Sequence, residues 1–322
     1  PDTIDEEAPL PGGPYDLVVS LGLLDTVNDL PGALVHMRRA LQPDGIAIAI
    51  LHAAGSLAPL RAAMLAAEPG LAAVSLCTPP QGRFDQAMQV LRAGRHLMLE
   101  KPPAATLTEA EILRDEAGRR GLTIFATWHS REGRAVDAAR RWLSVRKVRQ
   151  VRIDWREDVR KWHPGQDWIW QPGGLGVFDP GINALSLLTT LMADPVILRA
   201  AGLDIPEGRQ TPIAAQLALS AGAVAIDAEF DWREQGGETW QIGFETTNGT
   251  ACLRDGGAVF EADGKPAIGG EDVEYRRLYE GFRDLVAAGR SAVDLAPLRL
   301  VADAFLCGRR RLVAPFDETG HD

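Results

Sequence analysis

Apolar and polar positions along the chain follow two regimes, with the change near residue 145. In the first regime, Tyr15 to Ser20 (YDLVVS) and Ile46 to Leu51 (IAIAIL) are short apolar runs beside turn residues, and each predicts a buried strand. Between them Leu30, Leu34, Met37 and Leu41 recur at helical spacing, with Pro31 near the start and Pro43-Asp44-Gly45 as stop and turn. A helix over Ser56 to Ala67, a strand over Ala72 to Cys77, a helix over Gly82 to Ala93 and a strand over His96 to Leu99 follow. Strands alternating with helices imply a parallel sheet flanked by helices.

In the second regime the period falls to that of a strand with one wet face. Val151, Ile153 and Trp155 alternate with Arg152, Asp154 and Arg156, and Val224, Ile226, Ala228, Phe230 and Trp232 alternate with Ala225, Asp227, Glu229 and Asp231. Trp240, Ile242 and Phe244 repeat the pattern. These runs predict an open, mainly antiparallel sheet, and the helical spacing of Tyr275 to Leu312 predicts C-terminal helices packed on it or on the first domain. The open face suits pairing with a second copy of the chain.

Composition narrows the functions available. With 322 residues, two domains are expected, and 46% hydrophobic with 24% charged residues is ordinary for a folded soluble protein. A net charge of −10 argues against nucleic acid or an anionic membrane as partner and favours a small molecule. No apolar run is long enough for a membrane span and the acidic, proline-rich opening is unlike a signal peptide, so a cytoplasmic location is expected. The opening on Pro1 rather than Met is expected of a truncated or assembled reading frame. Cys77, Cys252 and Cys307 are far apart and predict buried free thiols, with no metal site. His36, His52 and His96 lack carboxylate or cysteine partners at ligand spacing and are assigned to structure.

Several residues are placed for chemistry. Glu100-Lys101-Pro102 follows the strand His96 to Leu99, which sets Lys101 at the carboxyl end of a parallel strand, where open α/β sheets bind ligands; a solvated lysine before a helix is the plainer alternative. Thr78-Pro79-Pro80 ends the preceding strand and holds the chain extended past the sheet, as a resting place for a nicotinamide ring or as a mere terminator. In GGLGVFDPGINALSLL, Asp179 can cap an apolar helix with Pro180 at the first helical position. Asn183, one turn on, also allows both polar groups to face a cleft. Trp155-Arg156-Glu157-Asp158 and Lys161-Trp162-His163-Pro164 mix indoles with charge, as expected where a sugar stacks and its hydroxyls are bonded, or at a polar strand edge.

LAAVSLCTPPQGRFDQAMQVLRAGRHLMLEKPPAATLTEA resembles the second half of the Rossmann domain of the Gfo/Idh/MocA oxidoreductases, with its EKP signature. TIFATWHSR and VRIDWREDVRKWHPGQDWIWQPGGLGVFDPGINALSLL are most similar to the subgroup of D-galactose and L-arabinose 1-dehydrogenases, from about Leu71 to Phe316. The resemblance implies NAD- or NADP-dependent oxidation of an aldose at C1 to the lactone. It implies Lys101 and Asp179 as a catalytic pair, Asn183 orienting the C1 hydroxyl, and Glu157 and His163 gripping other hydroxyls. Cys77, Thr78, Pro79, Glu100, Lys101, Pro102, His129 and Trp162 are implied as cofactor contacts. Many family members carry His at the position of Asn183, so proton removal falls to Lys101 or Asp179. As a base at neutral pH a lysine must be desolvated, whereas as a cation it would stabilise oxyanion charge; the residues leave both open.

The front of the chain departs from that family. No GxGxxG-type turn or ribose-binding acidic residue precedes Leu71, so the pyrophosphate loses its usual helix N-terminus and dinucleotide binding is expected to be weak or lost. YDLVVSLGLLDTVNDLPGALVHMRRALQPDGIAIAILHAAGSLAPLRAAMLAAE is instead similar to the later half of a class I S-adenosylmethionine-dependent methyltransferase, which also lacks its glycine loop here. A fusion is expected around Met64 to Pro69, with the strands at Tyr15 and Ile46 free to extend a parallel sheet beside Ala72 to Cys77. The expected organisation is an α/β domain over 1–145, an incomplete Rossmann-like parallel sheet made of a methyltransferase-like part (1–68) and the second half of a dinucleotide-binding domain (69–145). An α+β substrate domain with the open sheet follows over 146–322. A non-catalytic sugar-binding or oligomeric scaffold is the alternative function, and methyl transfer a weaker third.

Overall fold

The computed structural model describes residues 14–21, 36–50, 71–265 and 269–317. The helix expected over Ser56 to Ala67, the junction at Met64 to Pro69 and His52 lie outside the described residues. The chain divides into two compact units, Pro1–Val74 with Asp85–Arg95, and Ser75–Phe84 with His96–Asp322.

In the first unit β1 (Tyr15–Leu21) pairs in parallel with β2 (Leu41–Ile50), with Val18 opposite Ala47 and Ser20 opposite Ala49. Among the described residues the two form a two-stranded sheet of their own, where an extension beside Ala72 to Cys77 is expected from the sequence. β2 starts at Leu41, ahead of the expected Ile46, because Tyr15 N donates to Ala40 O at 2.7 Å and Tyr15 pairs with Leu41. Pro43-Asp44-Gly45 is thereby absorbed as an irregularity inside the strand rather than a turn before it.

β3 (Ala73–Leu76), β4 (His96–Leu99) and β5 (Ile124–Ala126) form a three-stranded sheet in that order, with β4 and β5 parallel. α1 (Arg83–Arg92) and α2 (Leu107–Arg119) connect them. α2 starts on a capping box: Glu109 N donates to Thr106 Oγ1 at 3.2 Å, and Thr106 N donates to Glu109 Oε2 at 3.1 Å. His96 is structural here, its Nδ1 accepting from Thr123 N at 2.9 Å.

The larger sheet has eight strands. These are β6 (Val148–Arg156), β7 (Val196–Pro206), β8 (Ala214–Ala221), β9 (Val224–Asp231), β10 (Thr239–Thr246), β11 (Gly249–Arg254), β12 (Val259–Ala262) and β13 (Arg309–Val313). Their spatial order is β12-β11-β10-β6-β9-β8-β7-β13, antiparallel except where β6 meets β9 and β7 meets β13. The alternation read from the sequence decides the faces: Val151, Ile153, Ile226, Ala228, Phe230, Ile242 and Phe244 are buried. Arg152 and Asp227 point outward. Further helices are α3 (Val136–Leu143), the short α4 (Val159–Trp162), α5 (Phe178–Leu191), α6 (Glu274–Ala287) and α7 (Ala296–Cys307).

α5 covers the inner face of the sheet, and its residues 178–182 are all buried. Gly181 makes the close approach available, since a Cβ there would stand 2.8 Å from Phe230 Cδ1. Two expectations fail here. Residues 309–313 form the edge strand β13 rather than helix, and its three arginines suit an edge that should not pair further. None of the three cysteines is buried: Cys77 and Cys307 are exposed and Cys252 is intermediate, because each falls on a strand end, a helix end or the wet face.

Candidate functional site

The site begins where β4 ends. Glu100 N donates to Leu76 O at 3.0 Å, which ties the ends of β3 and β4 together and sends Glu100, Lys101 and Pro102 out of the sheet at its carboxyl edge. The Lys101–Pro102 peptide is cis. Arg83, only 2% exposed, donates to the carbonyls of Thr78, Glu100 and Pro102 and so clamps the two strand ends. Burial lowers its pKa to about 10. A cation in the first turn of a helix opposes the helix dipole. That mismatch was the one sequence signal for Arg83, which the sequence reading passed over.

Lys101 reaches across to α5. Its Nζ donates to Asp179 Oδ2 at 3.0 Å and to Asp179 O at 2.9 Å. Asp179 is the second residue of α5, not its cap, because Gly176 O accepts from Asp179 N at 2.8 Å and Pro212 O from Val177 N at 2.7 Å, starting the helix at Phe178. Its carboxylate is therefore free of capping duty. His163, just after α4, brings Nε2 to 3.3 Å from the same Oδ2. Burial would raise the pKa of Asp179, but Lys101 and His163 outweigh it and hold the carboxyl well below its usual range. Burial pulls the His163 imidazole down, yet the bond and charge of Asp179 leave it raised overall.

Glu157, 5% exposed, follows β6. Trp232 Nε1 donates to its Oε1 at 3.0 Å and Trp240 Nε1 to its Oε2 at 2.9 Å. Burial raises its pKa despite those donors and the charges of His163 and Lys101. Asn183 lies one turn along α5 from Asp179, and its buried Oδ1 has no partner. Glu100 accepts from Tyr275 OH at 2.7 Å and Thr127 Oγ1 at 3.2 Å. His129 stacks on Tyr275 with ring centroids 6.0 Å apart and bonds Glu274 at 2.6 Å through Nδ1. Trp162 is 44% exposed, its ring 5.7 Å from that of Trp240.

The structure thus joins Lys101, Asp179 and His163 directly. Cys77, Thr78, Pro79 and Glu100 line a cleft of about 230 Å³ with Lys101, Asp179, Gln166 and Trp168. His129 and Trp162 do not line it; their rings lie against Tyr275 and Trp240 respectively. Tyr275, Trp232 and Trp240 were missed by the sequence reading, since nothing in their local pattern announces partners 75 to 175 residues away, and Gln166 and Trp168 were missed although they bond within the turn after α4, to His163 and to each other. A larger hollow of about 360 Å³ lies on the open face of the sheet. Its charges pair among themselves, as Arg311 with Asp204 at 2.6 Å and Arg156 with Glu229 at 2.8 Å, so the smaller cleft is the candidate. Among the described residues no His, Cys, Asp and Glu cluster could hold a metal ion, and no helix is long and apolar enough to cross a membrane.

Comparison with known proteins places the chain in a family. The profile of the oxidoreductase family with an NAD-binding Rossmann fold matches residues 56–127, and that of a methyltransferase domain matches residues 4–49. The chain is 45% identical over 251 residues to the galactose 1-dehydrogenase of Pseudomonas fluorescens, covering 77% of this chain and 81% of that protein. The crystal structure of D-galactose-1-dehydrogenase from Rhizobium etli superposes with a TM-score of 0.77 at 40% identity, over 96% of this chain and 100% of that one. A 3-ketoreductase from Actinomadura kijaniata, solved with NADP, shares the fold with a TM-score of 0.70 at 17% identity, over 93% of this chain and 91% of that one. The chain belongs to the Gfo/Idh/MocA oxidoreductase family, whose members carry an NAD-binding Rossmann fold.

Proposed function

We propose that this chain is an aldose 1-dehydrogenase that oxidises a sugar of the D-galactose or L-arabinose type at C1 to the lactone, with a nicotinamide dinucleotide held only weakly. The observation that carries the reading is the 3.0 Å contact between Lys101 Nζ and Asp179 Oδ2 beside the carboxyl edge of the β3–β5 sheet. The likeness to two galactose 1-dehydrogenases supports the choice of sugar.

The residues present suit one end of the cofactor. The cleft at Thr78, Pro79, Glu100 and Lys101 offers an extended, proline-lined wall for a flat ring, and the unpartnered Oδ1 of Asn183 suits a sugar hydroxyl as donor. The phosphate end is not matched. Of the described residues lining the cleft, the cations are Arg83 and Lys101, and both are committed to protein oxygens. No glycine turn of the GxGxxG type precedes Leu71 to replace them.

A bound nicotinamide ring would supply the hydride acceptor. Asn183 Oδ1 would accept from the hydroxyl next to C1 and so orient the C1 hydroxyl, whose single proton stays directed at Lys101. Asp179, held far below the usual carboxylate range, is a poor proton acceptor. The reading therefore has Lys101, an ammonium in the resting chain, release a proton to solvent before Nζ takes the C1 hydroxyl proton, with Asp179 stabilising the ammonium that re-forms. Glu157, locked by two indole donors, keeps lone pairs for further hydroxyls.

The test pairs two titrations. D-Galactose or L-arabinose should raise the melting temperature of the chain, while calorimetry with NAD and NADP should give no binding below about 1 mM, the weak end of small-ligand affinity. Sub-millimolar dinucleotide binding would refute the weakened site. Sugar stabilisation with no lactone formed at any dinucleotide concentration would favour a non-catalytic sugar-binding scaffold, a reading encouraged by the sugar-facing residues standing without a matched phosphate site.

A further inference from the structure

Gln166 sits in the turn after α4 and its side-chain oxygen serves two neighbours. Trp168 Nε1 donates to Oε1 at 3.0 Å, and His163 Nδ1 lies 3.1 Å from the same atom. An indole N–H can only donate, so the amide must present its oxygen here and not its NH2 group. An amide oxygen can only accept. His163 Nδ1 must therefore carry a proton.

The other ring nitrogen faces a second acceptor. His163 Nε2 is 3.3 Å from Asp179 Oδ2, and that carboxylate is held ionised by Lys101 at 3.0 Å. A neutral imidazole has one N–H and two opposed acceptors require two. We propose that Gln166 is a positioning residue that fixes the proton on His163 Nδ1, so that His163 meets Asp179 as an imidazolium. The link to aldose oxidation rests on the function proposed above, whereas the protonation state is a property of the chain without ligand.

The surroundings are consistent with a cation. Asp179 faces the ring from α5 and Glu157 from the end of β6, while Lys101 from the end of β4 and burial oppose the charge. Trp232 and Trp168 enclose the ring at centroid distances of 5.3 and 6.2 Å. At 5.3 Å Trp232 is near enough for an aromatic ring to favour a cation over a neutral imidazole. With both N–H groups spent inside the protein, His163 would act on a sugar through Asp179 rather than by gripping a hydroxyl itself. Asp179 Oδ2 is then flanked by two cations, which explains why it serves poorly as a base.

Two-bond proton–nitrogen spectra of the full chain with labelled histidine, with His163→Phe identifying the signal, test this directly. At pH 7 both His163 ring nitrogens should show protonated shifts. Gln166→Met, which keeps length and removes the acceptor, should lower the titration midpoint by about one pH unit, and Gln166→Glu should raise it by a similar amount. A neutral His163 with its proton on Nε2 at pH 7, or an unchanged midpoint in both variants, would overturn the proposal. If Gln166→Met fails to fold, the spectrum of the unaltered chain still decides between the two tautomeric states. Failure of the dehydrogenase reading would appear separately, as no lactone with the histidine spectrum as expected.

Discussion

Lys101 and Asp179 are 78 residues apart in sequence and 3.0 Å apart in space, and two consequences follow at the scale of single residues. Lys101→Met should lower kcat for sugar oxidation by about 10²- to 10⁴-fold, the usual worth of a positioned acid or base, and Lys101→Arg should fare no better because guanidinium does not release its proton. Steady-state rates at millimolar dinucleotide read both. Stability should also follow pH in a defined sense. His163 is raised when folded, so its contribution is full below the unfolded value of about 6.5 and is lost as pH rises through the folded value. Asp179 is lowered when folded, so its contribution is full above about 3.9 and is lost as pH falls below it. The melting-temperature gap between the native chain and His163→Phe should therefore be widest near pH 5 and narrow toward pH 9; a gap that widens with pH would contradict the pairing. Asp179→Asn leaves two cations facing each other and should cost about 3–5 kcal/mol, as breaking other buried pairs does.

At the scale of elements the decisive feature is the start of α5. Gly176, at φ 54°, bonds back to Ile169 O at 3.1 Å, and a Cβ there would stand 2.3 Å from Pro212 O. Gly176→Ala should therefore shift the first turn that carries Asp179, lowering the melting temperature and activity together, whereas Gly208→Ala at φ 80° meets nothing within 4 Å and should cost only the strain of its backbone. Much at this scale was legible. The strand ends at Leu76 and Leu99, and the alternation of β6, β9 and β10, came from periodicity and put Lys101 at a sheet edge. Whether Asp179 capped its helix was not legible, because the answer lies in Pro212 O, which accepts from the backbone ahead of it. Tyr275 on Glu100, and the two indoles on Glu157, were hidden for the same reason: each bond joins elements that only the folded chain brings together. The strand Arg309–Val313 escaped because its burial is slight and one face carries no apolar period.

At the scale of the whole molecule the chain carries two family resemblances. Residues 4–49 match a methyltransferase domain and residues 56–127 an oxidoreductase domain, the two resemblances expected from the sequence but with the changeover between 49 and 56, ahead of the expected Met64 to Pro69. The galactose-dehydrogenase likeness nevertheless spans 251 residues, and the buried residues of the larger hydrophobic core run from Trp128 to Ala304. In the proposed function, sugar recognition and the Lys101–Asp179 pair would depend on that core and on the ends of β3 and β4, whereas dinucleotide affinity would depend on a glycine turn that residues 1–322 do not contain. The two capacities should separate in experiment. The most direct measurement is the rate of lactone formation from D-galactose and from L-arabinose as NAD or NADP is raised through the millimolar range, in the native chain and in Lys101→Met. The expected result is a rate that climbs without saturating up to several millimolar dinucleotide and drops at least about 100-fold in the variant. Lactone formation that saturates well below 1 mM would contradict the weakened cofactor site, and no lactone at any concentration would contradict the dehydrogenase itself.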